Sequence, residues 1–310
     1  MDKDIKKLTY KGVSWYDITS PNEENIKFLE KKFGFHELDL EDLELRKIQR
    51  SKIDDYEDYL FIVLHLPVYQ KSRDRIISVQ VDMFIGQNYF ITVRSPALKN
   101  IDKIIDKCEE SEAEMEEYMG FGTGYLLYNV ISDLFDGCFP LLDELESEIN
   151  DLERELFLHD FAKKDMLQDI LLMKKDLTTF NRVILPQRTV IAQLEHKNKK
   201  FMTEDLNVYF DDVVDKVEKI WNNLENYQEM VNNLQNINES MISHNTNRII
   251  TTLTVFSVIM LPLTLVSGIY GMNLTDLPAA GQTYSFEFVI GIMLMIAISM
   301  LAYFKYKKWI

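Results

Sequence analysis

Two stretches without a charged side chain limit what this 310-residue chain can become. Ile249 to Thr275 runs for 27 residues and Phe288 to Phe304 for another 17, and both are strongly apolar. A helix needs about 20 apolar residues to cross a bilayer core, so the first qualifies outright and the second narrowly. Tyr303 and Trp309 suit the interfacial belt at the end of the second. Two core helices of a soluble protein are the alternative. Everything before Arg248 is charge-rich, with a glutamate-dense run from Glu109 to Glu117. The formal net charge of −16 argues against nucleic acid as a partner, because phosphates repel such a surface.

Orientation follows from the positive charges. Arg248 precedes the first span, and Lys305, Lys307 and Lys308 follow the second, whereas Leu274 to Glu287 between them holds no lysine or arginine. The positive-inside rule then places both termini in the cytoplasm of a multi-pass protein of the cell membrane. Met1 to Tyr10 is charged throughout, so no signal peptide is expected there. Cys108 and Cys138 would sit in a reducing compartment as small buried hydrophobes, neither disulfide-bonded nor metal-ligating.

The expected fold is an α+β cytoplasmic domain with a long helical hairpin, plus a stalk helix continuous with the first of two transmembrane helices. Residues 1–124 form the α/β domain. Strand signals fall at Trp15 to Ile18, Leu60 to Leu64, Ile76 to Ile85 and Tyr89 to Val93. Helices fall at Asn22 to Lys32 and Leu38 to Gln49. Residues 125–200 form an antiparallel hairpin of an acidic helix, Leu126 to Leu158, and a more basic one, Asp165 to Lys197. The stalk occupies 201–248, span one 249–273, an outer loop 274–287, span two 288–304 and a basic cytoplasmic tail 305–310. From near Met202 no proline intervenes until Pro262, so stalk and span read as one helix roughly 90 Å long.

That helix carries a polar stripe. Asn222, Asn226, Glu229, Asn233, Asn236, Ser240, Ser243 and Asn247 recur at spacings of three and four, on one face. The stripe continues through Thr251, Thr254, Ser257, Leu261, Thr264 and Gly268. Helix–helix contacts absorb Ser and Thr in lipid, and an asparagine-rich helix can be merely solvated. A shared register from stalk into span favours a different use, with several copies surrounding an axis that the stripe faces. Two spans cannot enclose a pore alone, so a homo-oligomer is required. The candidate lining is Asn247, Leu253, Thr254, Ser257, Leu261, Thr264 and Gly268, with Gly271, Met272 and Asn273 at the outer end.

The chemistry of that wall constrains the cargo. It offers amides, hydroxyls and backbone carbonyls but no carboxylate inside the span. Magnesium sheds its water reluctantly, and neutral oxygens can hydrogen-bond to the waters of a hydrated ion without stripping them. No clustered His, Cys or carboxylate offers a dehydrating transition-metal site in the pore. His36, His65, His159, His196 and His244 are scattered and read as surface or helix residues, with His244 close to the inner pore mouth.

Tyr270-Gly271-Met272-Asn273 ends the first span, behind Pro262-Leu263-Thr264 and Gly268-Ile269. One last span and a lysine-rich tail with Trp309 follow. This arrangement resembles the CorA family of magnesium channels, as do Trp15 to Ile18, Phe33 to His36, Leu40-Glu41-Asp42, Tyr125 to Tyr128 and Tyr209 to Asp212. The resemblance implies a homopentamer in the lipid bilayer, with a funnel-shaped cytoplasmic domain and a pore lined by the first span. It also implies influx of hydrated Mg2+, and passage of cobalt or nickel. Closure would come from intracellular Mg2+ held between Asp42, with Glu41 beside it, and Asp212 of the next subunit, flanked by Asp211 and Asp215. Leu261 stands where a methionine is frequent in the family, and Asn236 where an acidic ring is sometimes found. A zinc-transporting branch usually changes the middle residue of the tripeptide, so Met272 favours magnesium. A membrane-anchored cation sensor or scaffold is the alternative from another class. Nothing supports an enzyme: there is no phosphate-binding glycine loop, nucleophile elbow or His-Glu zinc motif.

Overall fold

The computed structural model describes residues 5–45, 49–158, 164–195, 206–272, 278 and 284–309. The chain divides into two units, one ending at Leu234 and the other beginning at Gln235.

In the first unit, strands β1 (Ile5–Tyr10), β2 (Val13–Thr19), β3 (Lys52–Asp55), β4 (Tyr59–Gln70), β5 (Arg75–Gly86) and β6 (Tyr89–Arg94) form one mixed sheet in the order β1-β2-β6-β5-β4-β3. Only the β2–β6 pairing is parallel. The β1–β2 turn is closed by Lys11 and Gly12, both at positive φ (43° and 86°), which matches the twist of the flanking strands. Helix α1 (Glu23–Phe33) starts on a capping box between Asn22 and Asn25 and stops at Gly34, whose φ of 66° favours glycine. Helix α2 (Glu37–Leu45) follows.

The sheet is buried on both faces, which is why β4 is apolar without alternation from Tyr59 to Val68 except at His65. On one face Tyr16, Phe61, Val63, Phe84 and Ile91 pack with Leu29, Phe35, Leu40 and Leu43. Helix α7 (Lys164–Glu195) packs on β4 and β5. There Asp176 accepts from the Ile76 backbone N–H at 3.3 Å and pairs with Arg75. His65, expected at the surface or on a helix, instead lies in β4 at 7% exposure, because the sheet is covered on both sides.

Helices α3 (Lys99–Glu110) and α4 (Glu112–Met119) precede α5 (Thr123–Asp136) and α6 (Phe139–Leu158). A single helix over Leu126 to Leu158 was expected, and the break at Gly137-Cys138 has a direct cause. Pro140 has no N–H to give the Asp136 carbonyl and its ring collides there, so it is tolerated only in the first turn of a new helix. Both cysteines are buried, and burial pushes the Cys108 thiol up to about 11.

A buried ion network ties the sheet to α3. Arg94 Nη2 lies 2.9 Å from Asp17 and 2.5 Å from Asp102, and Thr92 donates to Asp17 at 2.6 Å. Burial works against the guanidinium, but Asp17 and Asp102 more than restore its charge and raise its pKa.

Helix α8 (Asn207–Tyr270) crosses the unit boundary, and α9 (Ser285–Tyr306) belongs to the second unit. Within the first unit, Phe210, Val213, Val217, Ile220, Leu224, Tyr227, Val231 and Leu234 are buried at alternating spacings of three and four. They anchor α8 beside α5, α6 and α7, where Lys216 reaches Asp136, Tyr227 reaches Glu146 and Arg188 reaches Glu218. In the second unit the outward surfaces stay apolar and exposed, including Leu253, Phe256, Leu261 and Leu265 on α8 and Phe286, Met295 and Ile298 on α9. Such surface calls for lipid or for other copies of the chain.

Candidate functional site

The face of α8 opposite its buried seam is the expected polar stripe. In the first unit Asn222, Asn226, Glu229 and Asn233 are exposed. In the second unit so are Asn236, Ser240, Ser243, Asn247, Thr254, Ser257, Leu261, Thr264 and Gly268, with Thr251 half-buried. Leu253 borders the stripe and is exposed. No side chain of its own chain covers this face among the described residues.

The hydroxyls on that face have a defined polarity. Ser257 donates to the Leu253 carbonyl at 2.8 Å and Thr264 to the Met260 carbonyl at 2.8 Å. With each proton committed to the helix, the oxygen presents lone pairs outward as an acceptor. Acceptors suit the hydrogens of a hydrated cation. Ser257, Leu261, Thr264, Gly268 and Met272 border an open concavity of about 650 Å3.

Near its C-terminal end, α8 contains Pro262, which cannot donate to the carbonyl of Val258. The helix stops at Tyr270, and Gly271 and Met272 fold back onto the carbonyls of Ser267 (2.8 Å) and Ile269 (3.2 Å). The other carbonyls of the last turn, and the negative end of the macrodipole, lie at this end of the helix and favour cations. Gly271 is not at positive φ, so the turn does not demand glycine for its backbone angle. A Cβ there would come within 3.0 Å of the Ser267 carbonyl, which is tight. Asn273 lies outside the described residues.

The expected regulatory carboxylates sit apart within one chain. Asp42, on α2, is half-buried and pairs with Lys52 at 3.2 Å, while Lys52 also holds Asp54 at 2.7 Å. Burial opposes the charge on Lys52, but the hydrogen bonds to Asp54 and Asp42 raise its pKa overall. Glu41 is exposed. Asp212, on α8, is exposed, with the Tyr128 hydroxyl at 3.5 Å and Lys216 at 3.7 Å. Among the described residues of one chain, no three His, Cys, Asp or Glu side chains are grouped to hold a metal ion. Asp42 and Asp212 share no partner among the described residues. Their oxygens are nonetheless the hard donors that Mg2+ takes, and both are reachable from outside, so they fit a site completed by a second copy.

One carboxylate beside Asp42 escapes a reading of the sequence. Asp82, on β5, is 8% exposed and accepts from Gln80 at 2.7 Å. Burial, reinforced by the nearby Asp42 charge, pushes its carboxyl up to about 7. The one available signal is its place in the alternation of β5, on the same face as the buried Phe84.

Residues 10–308 match the family described as CorA-like Mg2+ transporter protein. The chain belongs to this family. It is 30% identical to the cobalt/magnesium transport protein CorA of Thermotoga maritima, over 96% of this chain and 83% of that protein. The corresponding Methanocaldococcus jannaschii protein is 24% identical over 96% of this chain and 91% of its own. The complete structure of the CorA magnesium transporter from Methanocaldococcus jannaschii superposes with a TM-score of 0.87 at 23% identity, covering 100% of this chain and 95% of that one. That likeness establishes the CorA fold: a soluble α/β part with a mixed sheet, a long helix and two helices long and apolar enough to cross a membrane. A CorA-like chain is thus a multi-pass membrane transport protein, and its exposed apolar helices have a bilayer to face.

Proposed function

We propose that this protein is an Mg2+ channel in which a homopentamer surrounds a pore lined by the α8 stripe. The observation that carries this is the two-sided character of α8, with one face in a heptad-spaced seam and the other exposed, polar and in register. Hydrated Mg2+ enters from the outer mouth, where Gly271, Met272 and Asn273 supply backbone and amide oxygens. It then passes the acceptor hydroxyls of Thr264 and Ser257 and the hydroxyl of Thr254, with Gly268, Leu261 and Leu253 setting the width and Asn247 the inner end. Both termini lie in the cytoplasm.

Intracellular Mg2+ closes the pore by binding between Asp42 and Glu41 of one subunit and Asp212 of the next. Bare carboxylates across an interface repel, and a shared hard cation turns that repulsion into attraction. Loss of the metal loosens the interface and favours the open arrangement. Co2+ and Ni2+, with similar hydrated size and geometry, are expected to pass as well.

The test is reagent accessibility in proteoliposomes. Single cysteines at Ser257, Thr264 and Gly268 should let a cationic thiol reagent block Mg2+ flux, while one at Phe256, exposed on another face, should not. Equal block at Phe256 and Thr264 rules out the stripe as the lining. Zn2+ flux exceeding Mg2+ flux in the same vesicles would favour the zinc-transporting branch of the fold.

A further inference from the structure

Helix α9 ends by folding back on itself. The Trp309 N–H donates to the Phe304 carbonyl at 3.0 Å and the Lys308 N–H to the Lys305 carbonyl at 3.1 Å, the paired bonds of a left-handed helix cap. The apolar contact that accompanies such a cap is present as well. The Trp309 ring stacks on Phe304 at 5.7 Å and 24°, and Phe304 is the one buried side chain of α9 among the described residues. The fold-back therefore fixes an indole at the end of a helix long and apolar enough to cross a membrane.

One residue departs from the usual chemistry of this cap. The left-handed position, with φ of 58°, is the one that glycine takes without a clash, and here it is Lys308. Lys305, Lys307 and Lys308 are all exposed, and none makes an ion pair among the described residues. Lysines at a helix C-terminus complement the macrodipole, and Lys305 and Lys307 already do so without strain. Lys308 adds a third ammonium at a conformational cost, in a chain whose formal net charge is −16. Two consecutive spans return the chain to the side on which it entered. Arg248, exposed at the start of the first span and unpaired among the described residues, thus faces the same leaflet. Four such cations and an indole, where the spans leave the bilayer, match a surface of lipid phosphates.

We propose that the end of α9 binds anionic phospholipid headgroups, with Lys305, Lys307 and Lys308 on the phosphates, Arg248 extending the patch and Trp309 seated at the interface. The proposal needs the two spans and not the ion pathway.

Trp309 reports on its own lipid, because the other two of the three tryptophans, Trp15 and Trp221, belong to the first unit. The full-length protein is reconstituted into phosphatidylcholine vesicles holding a minor fraction of phosphatidylglycerol, with bromine on the acyl chains of one lipid or the other. Phosphatidylglycerol should quench Trp309 as a lipid bound about fivefold more tightly than phosphatidylcholine. Lys305→Gln/Lys307→Gln/Lys308→Gln should bring the two lipids to equal quenching. Lys308→Gly guards against a folding defect in that variant: it relieves the left-handed strain, so Tm should not fall, yet the preference should drop about twofold. Equal quenching in the wild type, no quenching by either lipid, or a full preference in either variant would each overturn the proposal. So would a preference abolished by exchanging chloride for inorganic phosphate at constant ionic strength, which would assign the lysines to a soluble anion.

Discussion

Nζ of Lys52 lies 3.2 Å from Oδ2 of Asp42, so the carboxylate proposed to take regulatory Mg2+ already holds a cation of its own chain. Metal and lysine compete for one group. The pair is partly exposed and contributes about 1 kcal/mol. Lys52→Gln should therefore move the Mg2+ midpoint for protease protection of the soluble part to about fivefold lower concentration. Asp42→Asn and Asp212→Asn should move it upward, without changing which ions permeate. An unshifted midpoint in all three variants would move the sensor elsewhere, with the run Glu109 to Glu117 next in line.

Arg94 and Asp17 are both buried, and removing one strands the other. Arg94→Met should destabilise the protein by about 3–5 kcal/mol, read as a lower Tm in detergent. Adding Asp17→Asn to that variant should recover part of the loss, since the uncompensated charge is gone. A wild-type Tm in the single variant would contradict the network.

Asp82 makes stability depend on pH in a defined direction. Its carboxyl is raised to about 7 by burial, above the unfolded value near 4. The folded state therefore holds a proton that the unfolded state releases between about pH 4 and 7, and stability falls as pH rises through that window. Above it the penalty is full, at most roughly 4 kcal/mol. Asp82→Asn should raise Tm at pH 8 and leave it nearly unchanged at pH 4. Equal shifts at both pH values would show that Asp82 does not titrate in this window.

The proposed outer mouth separates two kinds of damage. Asn273→Ala removes an amide oxygen from every subunit and should abolish uptake with the oligomer intact. Gly271→Ala adds a methyl tight against the Ser267 carbonyl but demands no forbidden backbone angle, so it should reduce uptake and not eliminate it. Wild-type uptake by Asn273→Ala would remove that residue from the filter.

The central strands and α8 were legible because their patterns are long: the apolar run of β4, the alternation of β5, the three-four spacing along the stalk. Strands β1 and β3 escaped. They lie at the two edges of the sheet, where Lys6, Lys7, Lys52, Asp54 and Asp55 replace apolar residues and discourage pairing with other chains. Pro140 was visible, and its single missing donor decides between one helix and two. The burial of His65 and Asp82 depends on what packs over the sheet, which no local pattern records. The pairing proposed for Asp42 and Asp212 would need a second copy, and a single chain shows two separate carboxylates and their lysines.

Mg2+ flux into liposomes that contain only this protein is the most direct measurement. Vesicles loaded with an Mg2+ indicator and free of internal Mg2+ should take up the ion rapidly. Uptake should stop when Mg2+ is present on the side of the soluble unit and should be absent with Asn273→Ala. An assembled protein that passes no Mg2+ under either condition, or a monomer that does, would contradict an oligomeric pore lined by α8.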